Sequence, residues 1–269
     1  MLDASYRCED YMYMYAVSKP PKLDMHTHSY YEILYFNSGD ACYMIGDKTY
    51  HAESGDIFVT EPGENHCIIF NSDIEYKRHF VQISERMMNT IPYEIRENIV
   101  DFICCGHGHI PAFLVKKYRL GSYYQLINYN IAGKKPLSSF NDFMVRTYIM
   151  QLAAVLGAIP REEILNFSEE KPVITEIKTF INDNTSEILS LDNIAERFYM
   201  SKYYMCHMFR DETGMTIKDY IAAQKIAKAC ELMRNGVVAS EVQKLCGFND
   251  YSTFYRTFKK YMGISPTEF

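Results

Sequence analysis

No run of about 18 consecutive apolar residues occurs in this chain of 269 residues, and a helix needs roughly that many to span a bilayer. The opening stretch, MLDASYRCEDYMYMY, has no basic segment followed by an apolar run, which is how a secretory leader is spelled. Membrane partners are therefore excluded, and the cytoplasm is the expected compartment. The eight cysteines show no CxxC or other zinc-ligand spacing, and in a reducing compartment most are expected to serve as small core fillers. Excess positive charge is missing too. Lys and Arg number 16 against 22 Asp and Glu over residues 1–171, and 12 against 12 over residues 172–269, so bulk charge alone makes no case for nucleic acid. What is present is an ordinary globular composition, 48% hydrophobic and 23% charged, in a chain long enough for two domains.

The two halves carry different periods. From about Leu23 to Ile83, short apolar runs are broken by Gly39-Asp40, Gly46-Asp47, Gly55-Asp56 and Pro62-Gly63, the rhythm of an antiparallel sandwich or barrel. After Ser84 the apolar residues take helical spacing, and the long stretch from Ser139 to Ala158 is followed by Pro160. The run PREEILNFSEEKP is charged and flanked by prolines, and reads as a linker. The expected fold is α+β: a β-barrel with following helices over 1–159, a linker over 160–172, and an all-α domain over 173–269.

An internal repeat organises the last hundred residues. An offset of 49 aligns MFRDETGMTIKDY (Met208–Tyr220) with TFKKYMGISPTEF (Thr257–Phe269), matching Phe209 to Phe258, Arg210 to Lys259 and Gly214 to Gly263. Each copy reads as a short helix, a turn and a longer helix. In the first, Ser190 and Ser201 are N-caps and Gly214 ends the second helix. At 100° per residue Met205, Met208 and Phe209 share one face, and Tyr203, Cys206, His207 and Arg210 line the opposite one. In the second copy Phe254, Phe258 and Tyr261 form the buried face, leaving Ser252, Arg256 and Lys259 opposite, with Tyr251 and Tyr255 beside them. A single helix from Thr216 to Asn235, about 30 Å long, joins the copies. That separation suits two helices entering successive major grooves on one face of a duplex.

On these motifs the segment Pro172–Phe269 resembles the DNA-binding domain of AraC-type transcription regulators. LDNIAERFYMSKYYMCHMFRDETGMTIKDYI matches the first helix-turn-helix and GFNDYSTFYRTFKKYMGISPTEF the second. The resemblance implies base contacts from Tyr203, Cys206, His207, Tyr251, Ser252 and Arg256. Lys202, Arg210, Lys259 and Lys260 are the expected phosphate contacts. Two departures stand out. Gln243 replaces a small alanine of the family pattern. Cys206 and His207 are weaker base readers than Gln or Arg, so the first unit is expected to supply position more than specificity.

The stretch MHTHSYYEILYFNSG sets His26, His28 and Glu32 two and four residues apart, with Gly39 following, and Gly55-x6-Pro62-Gly63-x2-His66 comes after it. These two motifs resemble those of a cupin, the second lacking one residue between proline and glycine; AraC-type regulators commonly carry such a barrel as a sensor. In an unbroken strand His26, His28 and Glu32 would point into the barrel, where His66 joins them. The effector contacts expected are His26, His28, Glu32, His66, Tyr30 and Tyr43, with Tyr35 and Phe36 as further walls. Three imidazoles and a carboxylate also suit a divalent metal, Zn, Fe, Mn or Ni, though no cofactor is required by this reading.

The expected protein is a regulator that binds double-stranded DNA and responds to a small effector, a sugar or related metabolite. Its expected partners are RNA polymerase and a second copy of itself, the latter through the helix of residues 139–158, which could equally pack on its own barrel. The rival from another class is a cupin metalloenzyme, an isomerase or dioxygenase, with an accessory helical domain. A third reading is a regulator with a plugged barrel and no effector.

Overall fold

The computed structural model describes residues 4–18, 25–46, 48–104, 108–134, 136–165 and 171–269. Eight strands come first: β1 (Ser5–Arg7), β2 (Tyr11–Ser18), β3 (Tyr31–Ser38), β4 (Ala41–Ile45), β5 (Lys48–His51), β6 (Ile57–Thr60), β7 (His66–Phe70) and β8 (Tyr76–Ile83). Then follow α1 (Glu85–Met88), α2 (Tyr93–Cys104), β9 (His109–Ile110), α3 (Ala112–Lys117), α4 (Gly121–Ile131) and α5 (Ser139–Gly157). The strands form two antiparallel sheets, β1-β2-β8-β3-β6-β9 and β5-β4-β7. Gly39, Gly46, Gly55 and Gly63 fall between successive strands, where turn chemistry is expected.

The N-terminal strands are a feature the turn rhythm does not reveal. All eight residues of β2 pair with β8, from Tyr11 opposite Ile83 to Ser18 opposite Tyr76. Each long strand turns alternate residues to two buried faces. Val81 and Ile83 of β8 and Ile33 of β3 pack against α2, α4 and α5, in one core with Tyr124, Ile149 and Leu152. Leu34 and Phe36 of β3 face the other way, towards Tyr43 and Phe58. Helix α5 buries Val145, Ile149, Leu152, Ala153 and Leu156 against its own domain, and leaves Phe140 and Phe143 exposed.

The segment expected as linker is partly structured: α6 (Arg161–Leu165) buries Ile164 in the core of the first domain and pairs Glu163 with Lys117 at 2.6 Å. The helical domain comprises α7 (Pro172–Asp183), α8 (Leu191–Arg197), α9 (Lys202–Thr213), α10 (Ile217–Arg234), α11 (Ala239–Leu245) and α12 (Tyr251–Met262). Ser190 caps α8, Ser201 caps α9, Thr216 caps α10 and Asp250 caps α12, each accepting a backbone N–H three residues on. Phe209, Tyr220, Phe254, Phe258 and Tyr261 are fully buried at the centre.

The two domains share a core. Cys42, Met44, Cys67 and Ile69, on the outer face of the three-stranded sheet, lie in one apolar cluster with Met25 and the interior of the helical domain. Met25 N donates to the Tyr261 carbonyl at 3.4 Å, and Arg234 Nη1 to Asn65 Oδ1 at 3.4 Å.

Gly214 and Gly263 end the two longer helices of the repeat with the same left-handed backbone, φ 74° and 73°, which costs a residue with a Cβ about 1–2 kcal/mol. A Cβ on Gly263 meets nothing within 4 Å, whereas one on Gly214 falls 2.5 Å from Cys42 Sγ and 2.6 Å from His51 Nδ1 of the first domain. Gly214→Ala is therefore expected to cost about 1 kcal/mol more than Gly263→Ala in urea unfolding; equal losses would contradict the docking of the two domains.

His79, on the helix-facing side of β8, stacks on Tyr15 with ring centroids 4.5 Å apart and lies 2.7 Å from the Tyr13 hydroxyl. Burial pushes its pKa down to about 4, against about 6.5 in an unfolded chain. The unfolded state thus takes up a proton that the folded state refuses, and stability present above pH 6.5 is lost as the pH falls towards 4. Denaturant midpoints should fall across that window by the equivalent of ~1–3 kcal/mol, and His79→Gln should flatten the slope there.

Candidate effector site and DNA interface

His26, His28, Glu32 and His66 converge, each offering one ligand atom, all within 4.8 Å of one another. They do so without the unbroken strand expected of them. His26 and His66 exchange backbone hydrogen bonds of 3.1 and 3.2 Å as an isolated bridge. The chain then bends at Ser29-Tyr30 before β3 begins, and the bend brings His28 Nε2 to 3.2 Å from Glu32 Oε2. Gly63 N donates to the His28 carbonyl at 2.9 Å, so the turn of the second motif holds the first, despite its missing residue.

Backbone carbonyls fix the two best-placed rings. His28 Nδ1 donates to Tyr30 O at 3.0 Å and His66 Nδ1 to Glu64 O at 2.9 Å, which leaves each Nε2 facing Glu32. Burial opposes a charge on His28, but the hydrogen bond and charge of Glu32 prevail and raise its pKa. His66 is more deeply buried, and burial pushes its pKa down to about 4 despite Glu32. Its Nε2 is 3.8 Å from Glu32 Oε1 and has no hydrogen-bond partner. Burial works against the Glu32 carboxylate as well, yet His28, His66 and Gln82 together hold it at about 2. The centre therefore sets a carboxylate that is held ionised beside one ring whose protonation it favours and one ring whose protonation burial disfavours.

A cavity of about 230 Å³ opens beside this cluster, lined by His26, Glu32, Tyr43 and His66 among others. Four of the six expected effector contacts thus reach it. His28 stands behind Glu32. Tyr30 is a correction: it sits in the bend ahead of the pleat, and what it contributes is its carbonyl to His28. Tyr35 is another, since the strand alternation turns it to the opposite face, stacked on Tyr124 at 5.1 Å. Phe36 is core, 5.6 Å from the Tyr76 ring. The reading from sequence missed the wall built by β8, where Tyr76, Arg78, Phe80 and Gln82 line the cavity at every second position. Its period-two pattern was a strand signal, but both faces of β8 are covered, so the pattern does not say which face points inward.

In the helical domain each expected stripe lies on an exposed face. Tyr203 is 75% exposed, with its ring tilted against that of His207 at 4.2 Å between centroids. His207 and Arg210 are exposed and Cys206 is half-buried. Tyr251, Ser252, Arg256, Lys259 and Lys260 are exposed on α12. Lys202 pairs with Asp192 at 3.0 Å and Lys260 with Asp219 at 3.4 Å; both pairs are solvated, and a phosphate exchanges for such a partner at little cost. Tyr199 lies in the turn before α9, 94% exposed with φ 53°. Gln243 donates from Nε2 to the Phe248 carbonyl, so its amide braces the turn into α12, a role the alanine of the family pattern lacks.

With this geometry in view, the chain matches the AraC-like ligand binding domain over residues 18–97 and the Helix-turn-helix domain over residues 194–269. It is 25% identical over 247 residues to the HTH-type transcriptional regulator YfiF of Bacillus subtilis, covering 90% of this chain and 77% of that one. It is 22% identical over 254 residues to the HTH-type transcriptional activator RhaR of Shigella dysenteriae, covering 90% and 85%. Among solved structures, the C-terminal domain of AraT, a response regulator from Geobacillus stearothermophilus, is 26% identical over 38% of this chain and 85% of that one, with a TM-score of 0.37. The chain belongs to the AraC-type transcription regulators, with an N-terminal ligand-binding domain and a C-terminal DNA-binding domain. The relatives YfiF and RhaR are transcription regulators.

Proposed function

We propose that a small effector, a sugar or related metabolite, enters the cavity of the first domain and changes how the helical domain is held, and so how it binds DNA. One observation carries this reading: the residues that line the cavity alternate with residues that touch the helical domain. His26 and His66 line the cavity, while their neighbours Met25 and Cys67 lie in the core shared with the helical domain, Cys67 reaching the cavity as well. An occupant that draws on the two imidazoles therefore acts one peptide bond away from the domain contact. To switch the protein it must bind one arrangement better than the other. A 230 Å³ space argues against the plugged barrel.

The four-residue cluster fits a divalent metal. Its donor set is hard and borderline, both fixed rings present Nε2 inwards, and the orphaned buried Nε2 of His66 is a group that needs a partner. His26, His28, Glu32 and His66 would hold the ion, which when bound supplies a Lewis-acid anchor for effector oxygens. Without the ion the same side chains hydrogen-bond the effector directly. Zn²⁺ or Mn²⁺ added to metal-stripped protein should raise the melting temperature, and His66→Ala should abolish the rise. An unshifted melting temperature with both ions would remove the metal from this account.

In the DNA reading, Tyr203, Cys206, His207, Tyr251, Ser252 and Arg256 face base edges, and Lys202, Arg210, Lys259 and Lys260 face phosphates. Pairing of two copies suits so neutral a domain, because each copy brings few cations. The exposed Phe140 and Phe143 of α5, with Tyr129 of α4, are the apolar face for that pairing. Contact with RNA polymerase and action in the cytoplasm complete the reading. In titrations against DNA upstream of the protein's own gene, Arg256→Ala should weaken binding by about 1–3 kcal/mol and relax specificity. Lys259→Ala should weaken all sequences alike and lower the salt slope by about one. Unchanged affinity with Arg256→Ala would sink the assigned face.

A further inference from the structure

The cavity has a second polar end that none of the sequence motifs announces. Along β8 the inward row runs Tyr76, Arg78, Phe80, Gln82. Gln82 belongs to the histidine end, where its Nε2 donates to Glu32 Oε2 at 2.9 Å. Four residues earlier, about 13 Å along an extended strand, the Arg78 guanidinium lies 4.7 Å from the Tyr76 ring centroid and 5.9 Å from that of Phe80. The two ring faces locate the cation at the wall. Beside it the Tyr76 hydroxyl is buried with no hydrogen-bond partner, in a residue 1% exposed. A hydroxyl left so is costly unless something fills the cavity and accepts from it. Between the two ends the wall is apolar, with Leu34 and Phe80.

The lining therefore asks for an occupant with two unlike ends. Donors of a guanidinium and a phenol at one end match a carboxylate, and guanidinium geometry suits its two oxygens. At the other end His66 Nε2 lacks a partner and the Glu32 oxygens are already engaged by His28 and Gln82, a setting for hydroxyls that both donate and accept. The volume of about 230 Å³ falls below the ~300–1,000 Å³ of drug-sized sites and admits on the order of ten non-hydrogen atoms. We infer that the effector is a small hydroxylated carboxylate, a sugar acid or hydroxy acid, with its carboxylate on Arg78 and Tyr76 and its hydroxyl end at His66 and Glu32. This rests on the reading of the barrel as an effector pocket, and it places the acid form of a sugar ahead of the neutral sugar.

Matched pairs test it on the full chain: gluconate against glucose, galacturonate against galactose, and malate against glycerol, by thermal shift and calorimetric titration. At least one acid is expected to bind and raise the melting temperature while its neutral counterpart does not. Arg78→Gln should weaken that acid roughly ten- to a hundredfold, and Tyr76→Phe, which keeps the ring packing, about three- to tenfold. Circular dichroism shows whether each variant is folded. Neutral members binding as well as the acids, with Arg78→Gln and Tyr76→Phe indifferent and His66→Ala defective, would overturn the carboxylate and leave the pocket reading intact. Failure of every member to bind, together with DNA affinity unmoved by all of them, would overturn both.

Discussion

A β-strand turns successive side chains to opposite faces, and in this chain one face of the three-stranded sheet borders the cavity while the other is the domain interface. His66, Ile68 and Phe70 of β7 line the cavity, whereas Ile69 lies in the core of the helical domain and Cys67 belongs to that core while also reaching the cavity. β4 divides in the same way, Tyr43 inward and Cys42 and Met44 outward. No hinge or long lever is required for the two domains to sense each other, since the sheet between them is one backbone thick. A slip of one residue in register would exchange the two faces, and would put an imidazole into an apolar core. The apolar interface and the polar cavity thus each specify the register that the other needs.

The polar cluster is tolerable in this setting because its charges are matched within it. Glu32 is 5% exposed, and an isolated carboxylate at that depth would neutralise itself. It stays ionised because His28 and Gln82 donate to it and His66 lies alongside. The backbone carbonyls of Tyr30 and Glu64 fix the rings, so the side chains facing the cavity are already oriented before anything binds. What is left unsatisfied, His66 Nε2 and the Tyr76 hydroxyl, lies where an occupant would reach it.

The helical domain was legible to the level of individual caps because its information is local. Ser190, Ser201, Gly214 and the buried faces of α9 and α12 follow from spacing along one helix at a time, and the duplication states each rule twice. The ligand cluster was legible as residue types, but not as geometry: the chain reaches it through a bend at Ser29-Tyr30 and an isolated bridge, which no period encodes. Tyr30 was misplaced for that reason, lying in the bend, whereas Tyr35, three residues after Glu32 in one strand, falls on the opposite, covered face by alternation. Arg78 escaped notice because a strand buried on both sides gives no polarity pattern to choose a face. The shared core of the two domains was invisible for a similar reason, since Met25, Cys42, Met44 and Cys67 read as ordinary interior residues of the first domain.

Those interface residues meet the helical domain at a particular place. The first domain touches Gly214, which closes α9, through Cys42 and His51, and it touches Tyr261, in the last turn of α12, through Met25. Both contacts are at the C-terminal ends of the two longer helices of the repeat. The exposed tyrosines stand near the other ends, Tyr203 in the first turn of α9 and Tyr251 at the start of α12. From residue 203 to residue 214 a helix rises about 16 Å, so the sensor grips each helix at one end and leaves the opposite end to solvent. Both helices are thus held at equivalent ends, each by a different contact with the first domain: Cys42 and His51 on α9, Met25 on α12. Under the proposed reading, in which both units fit one duplex at once, their relative pose decides whether both can bind. Regulation of this kind needs neither unit to unfold nor its stripe to be covered, only a change in the angle at which the two helices are presented.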